Sequence, residues 1–193
     1  MNSILETDTT YLSKTVKPPK SLLRPIGRAI ADFDKIQSGD RVLVAVSGGK
    51  DSLSLLHLLL HLRRHAPVDF ELAAMTVDPS VDGFDPSPLK PYMMKLGIDY
   101  FYQSQDIMQQ AKEHMGKNSF CAFCSRMKRG VMYATARKQG YNILALGQHL
   151  DDLAESFMLS AFNGGQLRTM KAKYQNNDGD ISIIRPLIYV RER

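Results

Sequence analysis

The chain has 193 residues, of which 44% are hydrophobic and 23% charged, proportions of an ordinary globular domain that exclude wholesale disorder and a coiled coil. Lys and Arg outnumber Asp and Glu by 25 to 20, and the net charge of +5 suits a polyanionic partner without requiring one. Two cysteines exclude a secreted disulfide scaffold, the N-terminus lacks the apolar core of a signal peptide, and the apolar run over 53–62 is broken by His57 and His61 and too short for a membrane span, so a cytoplasmic protein is expected.

Residues 1–20 are polar, contain Pro18-Pro19 and show no period, which predicts a flexible arm ahead of a domain over 21–193. Leu22, Leu23, Ile26, Ile30 and Phe33 then recur at helical spacing until Ser38-Gly39-Asp40. Residues 41–46 (RVLVAV) are short, apolar and β-branched, as a strand buried on both faces should be. Ser47-Gly48-Gly49 is a turn, and 51–65 a leucine-rich helix. The alternation repeats with a strand over 70–77, a helix over 86–96 ended by Gly97, a strand over 99–103 and a short helix over 107–114. A helix over 124–138, a strand over 142–146, a helix over 151–162, a turn over 176–179 and a strand over 181–184 complete the chain. Strands alternating with helices predict an α/β fold, a parallel five-stranded sheet covered by helices on both faces.

The sharpest motif is Ser47-Gly48-Gly49-Lys50-Asp51-Ser52, between the first buried strand and the first long helix. Glycines let the backbone turn tightly against a ligand, and a helix N-terminus presents unpaired N–H groups and a positive dipole end. With two serine hydroxyls, these make a phosphate cradle at the carboxyl edge of a parallel sheet. Neither a Walker loop nor a dinucleotide G-x-G-x-x-G occurs. The bland alternative is a turn capped by Ser47 or Asp51.

SGGKDS resembles the SGGxDS signature of the PP-loop ATP pyrophosphatases. That resemblance implies an adenine nucleotide alpha-hydrolase-like fold and an enzyme that splits ATP between the α and β phosphates, adenylates a substrate oxygen and releases pyrophosphate. Ser47, Gly48, Gly49, Asp51 and Ser52 would then hold the pyrophosphate part of ATP. The backbone near Val77, at the end of the second strand, would face the adenine.

A second junction, residues 146–156 (LGQHLDDLAES), crowds Asp151, Asp152 and Glu155 into a first helical turn. Acids favour that position for capping and dipole reasons alone. Beside a phosphate loop they also suit Mg²⁺, which prefers one or two carboxylates plus phosphate oxygens. Asp152 is the first expected ligand and catalytic residue, and Asp151 the second ligand. His149 is expected to contact phosphate or substrate, and Gly147 to allow close backbone approach to adenine. The segment resembles the G-H-H-x-D-D-x-x-E-T block of tRNA-thiolating and lysidine-forming PP-loop enzymes, with Gln148 in place of the first histidine and Ser156 in place of threonine.

Cys121-Ala122-Phe123-Cys124 precedes a basic stretch, 125–130 (SRMKRG). Basic neighbours at a helix start stabilise thiolates. A redox pair, a zinc site using His114, an iron–sulfur site and two packed structural thiols are all open from the residues alone. CAFCSRMKRG, followed by LGQHLDDLAES and by residues 162–170, resembles the tRNA 2-thiocytidine synthetases over nearly all of 20–193. The resemblance implies ATP-dependent thiolation of cytidine in the tRNA anticodon loop, with a [4Fe–4S] cluster held by three cysteines. Cys121 and Cys124 match two of them. The third lies further toward the C-terminus in that family, so a chain missing its C-terminal extension is expected. It also implies tRNA, a sulfur donor such as a cysteine desulfurase, and a homodimer as partners.

Arg126, Lys128, Arg129, Arg137, Lys138, Arg168, Lys171 and Lys173 cluster in the same half, where they suit RNA phosphates, and Tyr133 and Tyr174 suit splayed bases. Lys14, Lys17 and Lys20 extend the basic character into the arm. The rival readings are a thiouridine-forming relative and a nucleotide-binding or iron–sulfur module without turnover.

Overall fold

The computed structural model describes residues 17–81, 83–114 and 120–192, with the side chains of 108, 112–114 and 121 outside that description. Most of the expected arm, including Lys14, and the side chains of His114 and Cys121 therefore lie outside the described residues.

The elements run α1 (Lys20–Asp32), β1 (Arg41–Ala45), α2 (Lys50–His65), β2 (Glu71–Asp78), α3 (Leu89–Leu96), β3 (Tyr100–Ser104), α4 (Ile107–His114), α5 (Phe120–Gln139), β4 (Ile143–Ala145), α6 (Leu150–Gly164), β5 (Lys173–Gln175) and β6 (Ser182–Ile184). They build one sheet in the order β3-β2-β1-β4-β6-β5. Five strands are parallel and are those expected; the sheet nevertheless has six, because β5 adds an antiparallel edge along β6. Three residues, Lys173-Tyr174-Gln175, are too few and too polar to announce a strand. They pair because the following turn folds the chain back: Asn176 Oδ1 accepts the N–H groups of Asp180 (3.1 Å) and Ile181 (3.2 Å), and Gly179 takes φ +74°.

Alternate side chains of the central strands enter two cores. Val42, Val44, Ala74 and Ile143 meet Ile26 of α1, Leu55 and Leu59 of α2 and Met93 of α3. Leu43, Met75, Leu144 and Ile183 meet Ala136 of α5 and Tyr141 on the other face. Each fully buried leucine here contributes about 1.5–3 kcal/mol by leaving water. Helix α6 differs, with no buried residue and with Met158, Leu159 and Phe162 exposed.

Helix α5 starts at Phe120, four residues ahead of the expected start at Cys124, so positions 121 and 124 lie within its first turns. Phe123 packs on Ile107 and Ala111 of α4, with Phe120, Cys124 and Met127 against the same small cluster. That tertiary contact extends the helix beyond what its own spacing indicates.

Candidate nucleotide site

Strand order reverses at β1 and β4: the chain leaves β1 toward β2 and β3 on one side and β4 toward β6 on the other. Ligands of open α/β sheets bind in the crevice that opens there, outside the carboxyl ends of the strands. Both motifs read from the sequence leave the sheet at this point.

After β1, Gly48 turns at φ +88°, a conformation that a side chain would strain. Gly49 then stands at the N-cap of α2, where no side chain caps the helix. Ser52, buried in the first turn, organises the loop: its Oγ accepts from Ser47 N at 3.2 Å and donates to Gly49 O at 2.9 Å. Ser47 Oγ lies 3.3 Å from Ser52 Oγ. The loop is thus held by its own serines, while the helix end has N–H groups to offer an anion.

After β4, Gly147 faces this loop at close quarters. A Cβ there would lie 3.2 Å from both N and Cα of Ser52 and 3.4 Å from the carbonyl carbon of Asp51. The glycine therefore lets the two junctions touch, backbone on backbone. His149 caps α6, and its N–H donates to Asp152 Oδ2 at 2.8 Å. The imidazole is buried at 8% exposure, and its Nδ1 has no hydrogen-bond partner among the described residues, 3.4 Å from Asp152 Oδ2 and 3.7 Å from Asp151 Oδ2.

The segment after β6 closes the site. Leu150 N donates to Val190 O at 2.9 Å, and Glu192 N donates to Asp151 Oδ2 at 2.6 Å. The Glu192 carboxylate pairs with Lys50 Nζ and lies 3.6 Å from His149 Nε2. The Lys50 ammonium holds this carboxyl below its usual range, and the carboxylate in turn raises the lysine pKa. A cavity of about 500 Å³ opens beside these groups, lined by Leu22 and Pro25 of α1, by Asp51, Ser54 and His149, and by Tyr189.

The structure thus brings Ser47, Gly48, Gly49, Asp51, Ser52, Gly147, His149, Asp151 and Asp152 to one crevice. It spends one oxygen of each expected metal carboxylate on backbone, Asp152 on His149 N and Asp151 on Glu192 N. The group best placed around a cation is Asp51, His149 and Glu192, with one ligand atom of each within 4.8 Å of the others. Two hard carboxylate oxygens beside the N–H groups at the start of α2 would suit Mg²⁺. Val77 lies across the crevice, lining a small apolar slot of about 90 Å³ with Ser47, Met75, Phe84, Lys128 and Met132. The Lys128 ammonium stands 5.9 Å from the centre of the Phe84 ring.

Cys124 is half-buried one turn before Lys128 on α5, so the thiol end of that helix leads down to the slot. The chain holds two cysteines, and two thiolates do not complete the ligand set of a four-iron cube. Of the basic residues, Arg126, Arg129, Lys138, Arg168 and Lys171 are exposed. Arg137 is instead tied to Asp178 (2.8 Å) and Asp180 (2.6 Å), holding the Asp180 carboxyl down to about 2, and Lys173 donates to Asp34 O. Sequence reasoning missed Glu192 and Phe84, which carry no local motif, and Lys50, which stands inside SGGKDS.

A family model described as a PP-loop domain matches residues 22–193, and the chain belongs to that family. Curated relatives named tRNA-cytidine(32) 2-sulfurtransferase include one from Geobacter sulfurreducens, 44% identical over 175 residues, which cover 90% of this chain and 68% of that protein. Another, from Pasteurella multocida, is 42% identical over 194 residues, covering 97% of this chain and 62% of that protein. With a Ralstonia pickettii relative covered over 54% of its length, the chain spans between about half and two thirds of such proteins. Among solved structures, the U34-tRNA thiolase NcsA from Methanococcus maripaludis with its [4Fe-4S] cluster has a TM-score of 0.68 at 23% identity, over 87% of this chain and 57% of that one. An NH3-dependent NAD synthetase from Campylobacter jejuni follows at 0.51 and 15% identity, over 90% and 68%. Both share the fold.

Proposed function

We propose that this chain is the catalytic core of an ATP-dependent, tRNA-cytidine-thiolating enzyme. The observation that carries the reading is the uncapped N-terminus of α2 at Gly49, set against the His149–Asp152 junction at the switch point. Sulfurtransferase names among the curated relatives supply the substrate class.

ATP would lie with its pyrophosphate on Ser47, Gly48, Gly49, Lys50 and Ser52 and its adenine in the Val77–Phe84 slot. The 2-oxo oxygen of the cytidine attacks the α-phosphorus, the bond to the bridging oxygen breaks, and pyrophosphate leaves with that electron pair. The α2 N–H groups and Lys50 stabilise the charge that builds there, and donors fixed in place before the reaction lower its barrier more than any other device such a site offers. ATP displaces Glu192 from Lys50, since both are anions competing for one ammonium. Mg²⁺ would be held by Asp51 with Glu192 or the free oxygens of Asp151 and Asp152, and when bound it neutralises phosphate charge. Asp152 fixes the start of α6, and so His149, against the reacting groups.

Hydrosulfide, released by a thiol reductant from the persulfide of a donor such as a cysteine desulfurase, then attacks C2; the C2–O bond breaks and AMP leaves with that electron pair. Cys121 and Cys124 would supply two thiolates toward an iron–sulfur cluster, an incomplete set in this chain. A cytoplasmic homodimer is the proposed working form; separately, no helix among the described residues is long and apolar enough to cross a membrane.

The test is pyrophosphate release from ATP and Mg²⁺, with and without tRNA, together with nucleoside mass spectrometry of tRNA from cells with and without the gene. Release that depends on tRNA, and 2-thiocytidine lost on deletion, are expected. Unchanged 2-thiocytidine would sink the reading.

A further inference from the structure

We propose that Gln148, Arg185 and Tyr174 form the pocket for the target base, and that the amide N–H donors of Gln148 select cytosine over uracil. This rests on the thiolating function just given and goes on to say how the base is recognised.

Arg185 follows β6 directly, and Gln148 stands one residue before His149. Their strands are parallel neighbours that pair Ala145 with Ile184, so both residues leave the sheet at the cradle's edge. Arg185 is buried at 8% exposure and held on several sides. Its Nη1 donates to Lys171 O at 2.6 Å, its guanidinium lies 5.3 Å from the centre of the Tyr174 ring, and its own carbonyl accepts from Lys35 Nζ at 2.8 Å. Its Nε donates to Gln148 Oε1 at 3.1 Å.

The last contact fixes an orientation. A guanidinium carries donors only, so the Gln148 atom that meets it must be the oxygen. With one lone pair of Oε1 taken by Arg185, the whole of Nε2, a pair of N–H donors, is left for a ligand. Gln148 thus keeps two N–H donors for a ligand, on a half-exposed glutamine beside the reacting groups, while the buried Arg185 holds its oxygen. Cytosine carries two adjacent acceptors, O2 and N3. Uracil carries O2 beside an N3–H donor. A donor aimed at N3 pairs with cytosine and opposes uracil, leaving one buried N–H unsatisfied, which is how a polar site discriminates strongly.

The base would have to leave its stack to reach this edge, and aromatic rings are what such bases rest on. Tyr174 supplies one. Tyr133 stands one turn beyond Arg129 on α5, where burial and a hydrogen bond to Tyr174 push its hydroxyl up to about 12, so it stays a neutral ring at neutral pH. On α5, Lys128 and Met132 line the slot under β1 and β2, whereas Arg129 and Tyr133 turn toward β5 and Arg185. Nucleotide and target base would lie side by side across the switch point.

The test measures anisotropy of two labelled anticodon stem-loop RNAs that differ in one base, target cytidine or uridine, with the chain as it stands. The wild type should bind the cytidine RNA at least about tenfold more tightly. Gln148→Glu keeps an acceptor for Arg185 but presents no donor, and should bring the ratio to about one or below. Gln148→Met removes the donor without adding charge and covers the case in which the glutamate variant misfolds. Tyr174→Leu should weaken both RNAs about tenfold and leave their ratio intact. Equal binding of the two RNAs by the wild type, or a ratio unmoved by both Gln148 variants, overturns the pocket. Pyrophosphate release with the cytidine RNA is followed in the same preparations. Its absence overturns the thiolating function and the pocket with it, whereas release with an unmoved ratio overturns the pocket alone.

Discussion

Gly147→Ala adds one methyl group at the point where the two halves of the crevice meet. The new Cβ would stand 3.2 Å from Ser52 N and Cα and 3.4 Å from Asp51 C, against the ~3.5–4.0 Å at which such atoms attract. All three are backbone atoms at the start of α2, so no rotamer relieves the contact and the helix end itself must move by a few tenths of an ångström. Overpacking of this kind costs about 1–3 kcal/mol. For a chain of this size each kcal/mol lowers Tm by about 2–4 °C, so a fall of about 2–12 °C is expected in a calorimetric scan. The N–H groups proposed to face phosphate move with the helix, and ATP affinity, read by titration calorimetry, should drop about tenfold. Gly130→Ala is the control, since its Cβ would meet nothing within 4 Å and the residue lies inside α5. It should stabilise by about 0.5–1 kcal/mol through helix propensity and leave ATP alone. A Gly147→Ala protein with wild-type Tm and ATP affinity would refute the claim that the junctions touch there.

Ser52→Ala removes the hydroxyl that holds both Ser47 N and Gly49 O, and should weaken ATP about tenfold in the same calorimetry while Tm falls by only a few degrees. Asp152→Ala removes the acceptor for His149 N and should cost about 1 kcal/mol in urea unfolding and most of the tRNA-dependent pyrophosphate release; full turnover would remove Asp152 from the mechanism. Lys35 is fully buried, and its burial first, then the charge of Arg185, lowers its pKa from 10.5 to about 8. Because the folded value is the lower one, the unfolded chain binds more protons between about pH 8 and 10.5, and stability rises with pH through that window. The gain from pH 7 to pH 9.5 is about 2 kcal/mol. Urea midpoints at the two pH values should show it in the wild type and not in Lys35→Met, and parallel behaviour would show that Lys35 is not desolvated.

The parts of the fold that were legible in the sequence are those whose residues face one environment along their length. The strands around Val44, Met75 and Leu144 are buried on both faces and read as unbroken apolar runs. Lys173–Gln175 has no such run, and its pairing comes from the Asn176 turn and its neighbour β6. The start of α5 was hidden for a like reason, since Phe120 and Phe123 are held by α4. In the site, SGGKDS and the acidic turn announced themselves because glycines and carboxylates have few other reasons to sit together. Which oxygen of Asp151 remains free was not legible, because it depends on where Glu192 N, 41 residues further on, comes to rest. Gln148 likewise read as a departure from a motif until Arg185, 37 residues away, was placed against it.

The switch point also bears on how the protein holds together. Strand β1 joins β2 through five register pairs, Arg41 to Ala45, but joins β4 through only three, Val42 to Val44. The seam beneath the crevice is the narrower one, and about a hundred residues separate its edges along the chain. A nucleotide lying across it would fasten the first half of the polypeptide to the second. Its binding energy would add to global stability as RT ln(1 + [L]/Kd), about 2.7 kcal/mol at a hundredfold excess over Kd. Substrate would then act as a seam-closing element of the fold, with its protection spread to strands on both sides that it never touches.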